Sequence, residues 1–113
     1  MSLYAGIVQK EGEYGRRLGF PTANIPFDAS VSGIFAARVS VDEQTHEAVV
    51  YADMRNKVLE AHLLHFEGDL YGKELEIELL EKLREDKRFE SEEEAKRQIA
   101  ADVQKAREYF TMH

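Results

Sequence analysis

The stretch Glu74–Leu79, with the sequence ELEIEL, alternates acidic and apolar side chains at every position. Because successive side chains of a β-strand point to opposite faces, this pattern predicts a strand with Leu75, Ile77 and Leu79 facing a core. Leu83 falls on the same face as Leu79, although Leu80 interrupts the strict alternation. We therefore predict a strand over residues 74–83 whose outer face is acidic.

The segment upstream of this strand shows the same period. In Val58–Phe66 the side chains of Leu59, Ala61 and Leu63 lie on one face, and those of Glu60 and His62 lie on the other. The turn signal EGD at residues 67–69 follows directly. The sequence thus predicts that these two strands are antiparallel neighbours joined by residues 67–73. Two earlier apolar segments, Ile34–Val41 and Glu47–Ala52, are also predicted to be strands.

The last part of the chain changes from a strand period to a helical one. Ser91 precedes Glu94 by three residues, which is the pattern of a capping box at a helix start. Apolar residues then recur at helical spacing, namely Ala95, Ile99, Val103, Ala106 and Phe110. A helix of about five turns with one apolar stripe must bury that stripe against a sheet. The predicted fold class is therefore mainly β, an antiparallel sheet or small barrel with one C-terminal helix.

Length, charge and cysteine content exclude several classes of protein. A chain of 113 residues suits one domain, and the absence of cysteine excludes disulfides, thiolate zinc sites and a cysteine nucleophile. No apolar run approaches the roughly 20 residues of a membrane span. The net charge of −7 argues against a nucleic-acid binder, which normally needs a basic face. We expect a cytoplasmic monomer whose partners are small molecules, with no membrane or nucleic-acid partner.

The glycine-dense stretch Gly15–Asn24, with the sequence GRRLGFPTAN, carries the strongest chemical signal. Its two glycines permit close backbone approach, and its two arginines suit phosphate. Thr22 and Asn24 are two residues apart, so an extended backbone directs both side chains to the same side, as hard oxygen donors of the kind that Mg²⁺ accepts. The residues alone also allow a simpler interpretation, in which Pro21 and its neighbours form an ordinary turn. The stretch is not a Walker A motif.

This stretch and the later segments resemble the riboflavin kinase (flavokinase) family. The likeness covers Gly6-x-Val8 and the segment Gly15–Ile25 around Pro-Thr-Ala-Asn, and it continues at Gly33–Ala36, Leu59–Leu64 and Gly68–Lys73. It then includes Leu83-Arg84, Phe89 and Ser91, and in the terminal helix Ile99 and Asp102. The matches follow the family's order over nearly the whole chain.

The resemblance implies a fold and an activity. The fold is a six-stranded antiparallel Greek-key barrel with a C-terminal helix, forming one domain over residues 1–113. The barrel is expected at about residues 1–84, and a flap with the helix at about 85–113. The implied activity is the ATP-dependent phosphorylation of the riboflavin 5′-hydroxyl to give FMN. Riboflavin and ATP are then the small-molecule partners, and Mg²⁺ is the cofactor.

The resemblance also implies roles for individual residues. Glu60 corresponds to the base that accepts the ribityl hydroxyl proton, and Thr22 and Asn24 correspond to the metal ligands. The positions implied for nucleotide or phosphate binding are Gly15, Arg16, Gly19, Pro21, Thr22, Tyr71 and Gly72. Arg84 and Phe89 match the flap segment that flanks the flavin. His62 shares the face of Glu60, but we assign it no role in the mechanism.

Two segments depart from the family pattern. The loop expected to wrap the phosphates carries Glu11 and Glu13, whose charges repel a polyphosphate. The connection over residues 51–59 is shorter than usual and lacks the Asn-Ile-Gly and Pro-Thr-Phe segments beside the flavin.

These departures keep two other functions open. One is a kinase-like module that binds flavin, nucleotide or a protein without phosphotransfer. The other is a phospho- or nucleotidyltransferase that uses the same metal site on a different hydroxylated acceptor. The family's bacterial module is often fused behind an FMN adenylyltransferase domain, and the sequence leaves open whether this chain is free-standing or an excised module.

Overall fold

The computed structural model describes residues 2–12, 19–28 and 30–113, which form seven β-strands and one α-helix. The strands are β1 (Ser2–Ile7), β2 (Lys10–Gly12), β3 (Thr22–Pro26), β4 (Gly33–Val41), β5 (Gln44–Asp53), β6 (Val58–Leu63) and β7 (Glu74–Arg84). The helix α1 spans Glu92–Met112. The predicted strands and helix are therefore present, with ends shifted by up to three residues.

All strands pair antiparallel in one sheet of order β1-β7-β4-β5-β6-β3-β2. Only Val8 and Gln9 separate β1 from β2, and their main-chain N–H groups donate hydrogen bonds to segments on opposite sides. Val8 N donates to Lys73 O at 2.9 Å, and Gln9 N donates to Asn24 O at 3.1 Å. The run Ser2–Gly12 thus acts as one strand that joins the two edges of the sheet. With Ser2–Gly12 counted as one strand, the predicted six-stranded barrel is confirmed, and it is nearly closed.

The expected pairing of β6 with β7 is wrong. β6 lies between β5 and β3, whereas β7 lies between β4 and β1. The strands β4, β5 and β6 form a meander, and β7 returns beside β4, which is the Greek-key arrangement. The connection 64–73 therefore crosses the end of the barrel instead of forming a hairpin, and it places Leu70 in the core.

Small and branched side chains fill the barrel interior. Leu59, Ala61 and Leu63 of β6 point inward, as do Leu75, Ile77 and Leu79 of β7, in agreement with the sequence periodicity. A second apolar cluster lies on the outer face, where Ile34, Ala36 and Val49 pack against α1 through Ala106. The helix begins as predicted, because Ser91 Oγ accepts a hydrogen bond from Glu94 N at 3.1 Å. The helix therefore covers one part of the barrel wall and leaves the adjoining part open.

Candidate active site

One row of directly opposed residues crosses the outer face of the barrel. Ile34 pairs with Tyr51, Tyr51 with Glu60, and Glu60 with Asn24. Directly opposed residues of neighbouring strands carry their side chains on the same face, about 5 Å apart at Cβ. The inward positions on either side, such as Leu59 and Ala61, belong to the core. The register of four strands therefore places Glu60 beside Asn24 on the outside of the barrel.

A cavity of about 290 Å³ lies between this row, the segment after β7 and the helix. Its lining is largely apolar and aromatic, with Phe20, Ile34, Tyr51 and Phe89 among the contributors. Glu60 is the carboxylate that β6 contributes to this lining. Such a cavity, apolar with a few convergent polar groups, suits a ring-containing small molecule with one polar reacting end.

A second cavity of about 260 Å³ lies on the other side of β3 and β6. Pro21, Phe66, Gly68 and Leu70 contribute to it. Among the described residues, Thr22 and His62 line both cavities. The two spaces therefore meet at the start of β3, beside Glu60.

Thr22 and Glu60 contact each other at this junction, and Asn24, which lines neither cavity, lies directly opposite Glu60 in the strand register. Thr22 Oγ1 donates a long hydrogen bond of 3.4 Å to Glu60 Oε1. Asn24 is buried, and its side-chain oxygen Oδ1 has no hydrogen-bond partner among the described residues. An unsatisfied buried oxygen is costly, and such groups in native proteins often mark a functional site.

The donor set fits a magnesium ion. Mg²⁺ prefers oxygen ligands and is usually bound by few protein groups, with substrate phosphates and water completing its shell. The orphaned Asn24 Oδ1 and the Thr22 hydroxyl oxygen are ligands of this kind on one strand face. The described residues contain no group of three or more histidine, cysteine or acidic side chains that could hold a metal ion. The fit therefore rests on neutral oxygens.

Arg84 lines the first cavity, but its guanidinium is bound within the protein. Its Nε and Nη2 atoms donate to the two carboxylate oxygens of Asp102 at 2.7 and 2.8 Å. Gln98 also donates to Asp102 at 3.2 Å, and the carboxylate is only 2% exposed. Arg84, which the family likeness places in the segment beside the flavin, therefore binds α1 through Asp102.

The segment after β7 closes over the cavity through aromatic and polar contacts. Phe89 lies beneath the Arg84 guanidinium, with 5.7 Å from the guanidinium carbon to the ring centre. Tyr51 OH donates to Asp86 Oδ2 at 3.0 Å, which ties β5 to this segment. Burial raises the pKa of Tyr51 above its ordinary value, and the hydrogen bond to Asp86 raises it further. The nearby negative charges of Asp53, Asp86 and Glu60 add to the shift.

The structure separates the other predicted nucleotide positions. Pro21 lines the second cavity, whereas Tyr71 is 66% exposed and, like Gly72, lines neither cavity. Gly72 N donates to Val8 O at 3.0 Å, and its φ of +80° is one that glycine adopts readily. Gly19 also has a positive φ, of +93°. Gly15 and Arg16 lie outside the described residues, as does Glu13.

The shortened 51–59 connection is a tight turn in the structure. β5 and β6 are joined by residues 54–57, and Asp53 Oδ1 accepts hydrogen bonds from Arg55 N and Asn56 N, both at 3.1 Å. Asp53 Oδ2 accepts a third from Asn56 Nδ2 at 2.7 Å. Asp53 is buried and acts as a turn-forming residue, which the sequence pattern did not single out.

Comparison with known proteins identifies the family. The model of the family described as "Flavokinase: Riboflavin kinase" matches residues 2–110. The chain belongs to the riboflavin kinase family. It is 36% identical over 114 residues to the "RNA-binding riboflavin kinase RibR" of Bacillus subtilis (strain 168), covering 91% of this chain and 49% of the relative.

Bifunctional flavin enzymes are similar too. The "Bifunctional riboflavin kinase/FMN adenylyltransferase" of Escherichia coli (strain K12) is 40% identical over 116 residues, covering 94% of this chain and 37% of the relative. The protein of the same description from Pseudomonas fluorescens is 38% identical over 113 residues, covering 91% and 36%. The chain thus spans half or less of the length of these curated relatives.

A solved structure supports the fold. A Streptococcus pneumoniae protein described as a macrolide-efflux protein superposes with a TM-score of 0.81 at 23% identity, covering 93% of this chain and 38% of that one. At this identity the likeness concerns the fold alone. Within the described residues, no helix has the length and apolar character needed to cross a membrane.

Asp86 and two pairings within the site were not predicted from the sequence. Asp102 belongs to the family likeness, but its contact with Arg84 joins positions that no local pattern connects. Asp86 looks like one charge among several in the segment after β7. Asn24 and Glu60 were found separately, and their direct pairing follows from the β3–β6 register.

Proposed function

We propose that this chain transfers the terminal phosphoryl group of ATP to the 5′-hydroxyl of riboflavin, giving FMN and ADP. The observation that carries the proposal is the meeting of two cavities at Thr22, next to Glu60. Opposite Glu60 lies the buried oxygen of Asn24, which has no partner among the described residues. Membership of the riboflavin kinase family supports it. In this arrangement the apolar cavity takes the flavin and the second cavity takes the nucleotide.

Glu60 acts as the base in this proposal. Its carboxylate accepts the proton of the ribityl hydroxyl as the hydroxyl oxygen bonds to the terminal phosphorus, while the bond from phosphorus to the bridging oxygen of ADP breaks. The Thr22 hydroxyl donates to Glu60 Oε1 and so orients the carboxylate toward the junction. Phosphoryl transfer depends mainly on such positioning and on charge neutralisation.

Thr22 and Asn24 hold the metal in the same proposal. Mg²⁺ would supply neutralisation of the phosphate charge when bound. A threonine hydroxyl that donates its proton to Glu60 still offers an oxygen lone pair, so both contacts are compatible. Gly15, Arg16, Gly19, Pro21, Tyr71 and Gly72 remain proposed nucleotide contacts. Arg84 and Phe89 remain the proposed flavin contacts, with Phe89 covering the ring and the Arg84 guanidinium lying against Phe89.

The test is product formation with a matched pair of variants. The chain is incubated with Mg-ATP and riboflavin, and FMN and ADP are quantified chromatographically. We expect the wild type to form FMN and ADP in equal amounts. For Glu60→Gln we expect kcat to fall at least about a hundredfold, the usual scale of general base catalysis. Glu76→Gln, an exposed glutamate on the outer face of β7, is the control and keeps wild-type turnover. Absence of FMN at high wild-type concentration would refute the proposal.

A second candidate function is favoured by the tight β5–β6 turn and by Glu11 and Glu13. With a shortened loop beside the flavin, and with acidic residues in the segment that the resemblance assigns to the phosphates, the chain would bind flavin without phosphotransfer. Quenching of riboflavin fluorescence together with no FMN at any ATP concentration would identify this function. Activity on other polyols, but not on riboflavin, would instead indicate a different acceptor.

A further inference from the structure

The backbone ladder between β3 and β6 ends where the proposed metal site begins. Its last pair at this end is Ala23 with Ala61, and Thr22 and His62 come next along the two strands. Pro21 has no backbone N–H, so it cannot complete a further pair of main-chain hydrogen bonds. On the other edge of β3 the ladder with β2 reaches Thr22, which pairs with Gly12. On the β6 side, a side chain must hold the residues that enter β3.

The imidazole of His62 provides this connection. Its Nδ1 lies 2.8 Å from the carbonyl oxygen of Pro21. Because a carbonyl oxygen only accepts, Nδ1 must carry the proton and donate it. The ring also meets Phe20 edge to face, with centroids 5.7 Å apart and an interplanar angle of 82°. One side chain of β6 thus fixes two successive residues before Thr22.

The position of His62 gives this contact a consequence for catalysis. His62 and Thr22 line both cavities, and Thr22 Oγ1 contacts Glu60. We propose that His62 is a positioning residue, which holds the Phe20–Pro21 backbone so that the Thr22 and Asn24 oxygens keep their place relative to Glu60. This inference rests on the proposed function for its catalytic meaning, whereas its structural part stands on the contacts alone.

Two variants with amide side chains distinguish the effect of the hydrogen bond to Pro21 from the effect of losing the imidazole ring. The side-chain nitrogen of asparagine is bonded to Cγ, as Nδ1 is in histidine, so His62→Asn can still donate to Pro21 O. In His62→Gln the nitrogen lies one bond farther out, near the place of Nε2, and misses that carbonyl. Both variants lose the aromatic contact with Phe20, so they form a matched pair.

The experiment measures two properties of the wild type and both variants. Calorimetry with Mg-ADP gives nucleotide affinity, and hydrogen exchange of the β3 amides reports local opening without any ligand. For His62→Gln we expect Mg-ADP binding about tenfold weaker, the factor for about 1.4 kcal/mol, and β3 exchange about tenfold faster. For His62→Asn we expect both values within about threefold of the wild type. Riboflavin affinity, measured by quenching of riboflavin fluorescence, should be the same for the two variants.

Each other result has a defined meaning. The inference fails if the β3 amides of the two variants exchange hydrogen at the same rate. It also fails if their exchange rates differ but both variants bind Mg-ADP with the same affinity, because His62 then does not position the metal donors. If the wild type itself does not bind Mg-ADP, the proposed function fails. The exchange comparison then still decides whether His62 holds the entrance to β3.

Discussion

The buried oxygen of Asn24, which has no hydrogen-bond partner among the described residues, is the feature from which we argue a binding role at a cost in stability. A polar atom without a partner loses its hydration and gains nothing in return, at a cost of about 1–3 kcal/mol. Asn24 is only 8% exposed and lies on the face that carries Glu60. A residue selected for stability alone would be apolar at such a position.

We therefore predict opposite effects on stability and binding for Asn24→Leu. The side chains have similar size, so the melting temperature should stay the same or rise, because the unsatisfied oxygen is removed. Mg-ADP binding, measured by calorimetry, should weaken at least about tenfold because the substitution removes a proposed metal ligand. Asn56→Ala, in the β5–β6 turn, is the control and should leave Mg-ADP binding unchanged. A clear drop in melting temperature for Asn24→Leu would show that Asn24 is structural.

Tyr51 offers a prediction about pH. The pKa of its phenol is raised by burial and by the hydrogen bond to Asp86, so the folded state keeps the proton to higher pH than the unfolded state. The stability that this interaction contributes is complete below the ordinary pKa of about 10 and is lost as pH rises above it. Urea unfolding should therefore show Tyr51→Phe less stable by about 1 kcal/mol at pH 8.

The difference between wild type and Tyr51→Phe should shrink between pH 8 and pH 11. The other tyrosines and the lysines titrate in both proteins, so their effects cancel in this comparison. A difference that stays constant or grows with pH would contradict the assigned pKa direction.

At the scale of secondary structure, the contact between Arg84 and Asp102 connects the end of β7 to the middle of α1. The arginine side chain is 14% exposed and the carboxylate 2%. Removing one partner of such a buried pair leaves the other charge uncompensated. This contact also holds the segment that carries Phe89, since it fixes both of its flanking elements.

We predict that Asp102→Asn lowers the free energy of unfolding by about 3 kcal/mol. The matched substitution Asp42→Asn, in the exposed pair with Lys73, should cost about 1 kcal/mol or less. Replacing both buried partners, as Arg84→Leu with Asp102→Leu, should recover most of the loss because no charge is left unpaired. Urea unfolding measures all of these values. Equal losses for the two asparagine variants would show that burial adds nothing to the pair.

The elements themselves were predictable, but part of their pairing was not. Period-two alternation identified β6 and β7 and the faces of Leu59 and Ile77 correctly, because the inward positions of a barrel strand must be apolar. The same pattern cannot say which strand lies next to which. Consecutive strands are neighbours in roughly two thirds of cases, and β6 and β7 are an exception because the Greek-key return places β7 beside β4.

The same distinction explains what was predicted of the site. Thr22, Asn24 and Glu60 came from a family likeness and from side-chain spacing within single strands. The contacts of Arg84 with Asp102 and of His62 with Pro21 join residues 18 and 41 positions apart. Such contacts depend on the folded arrangement, and no local pattern in the sequence contains them.

At the scale of the whole molecule, charge and shape bear on the partners of the chain. The net charge is −7, and the outer face of β7 carries Glu74 and Glu76, both exposed. One relative is described as RNA-binding, and this chain spans 49% of it. Nucleic-acid affinity arises mainly from cationic side chains that displace counterions from phosphates, so an acidic outer wall opposes it.

We therefore predict that the chain does not bind RNA. A fluorescein-labelled single-stranded RNA should show no change in anisotropy at about 10 µM protein, although non-specific binders reach dissociation constants of about 1 µM. The full-length Bacillus subtilis relative serves as the positive control. A triple variant with Glu74, Glu76 and Glu78 changed to lysine should gain weak binding that disappears as salt rises, because its β7 face becomes cationic. Salt-dependent binding by the wild type would mean that a basic surface of this chain outweighs its acidic total.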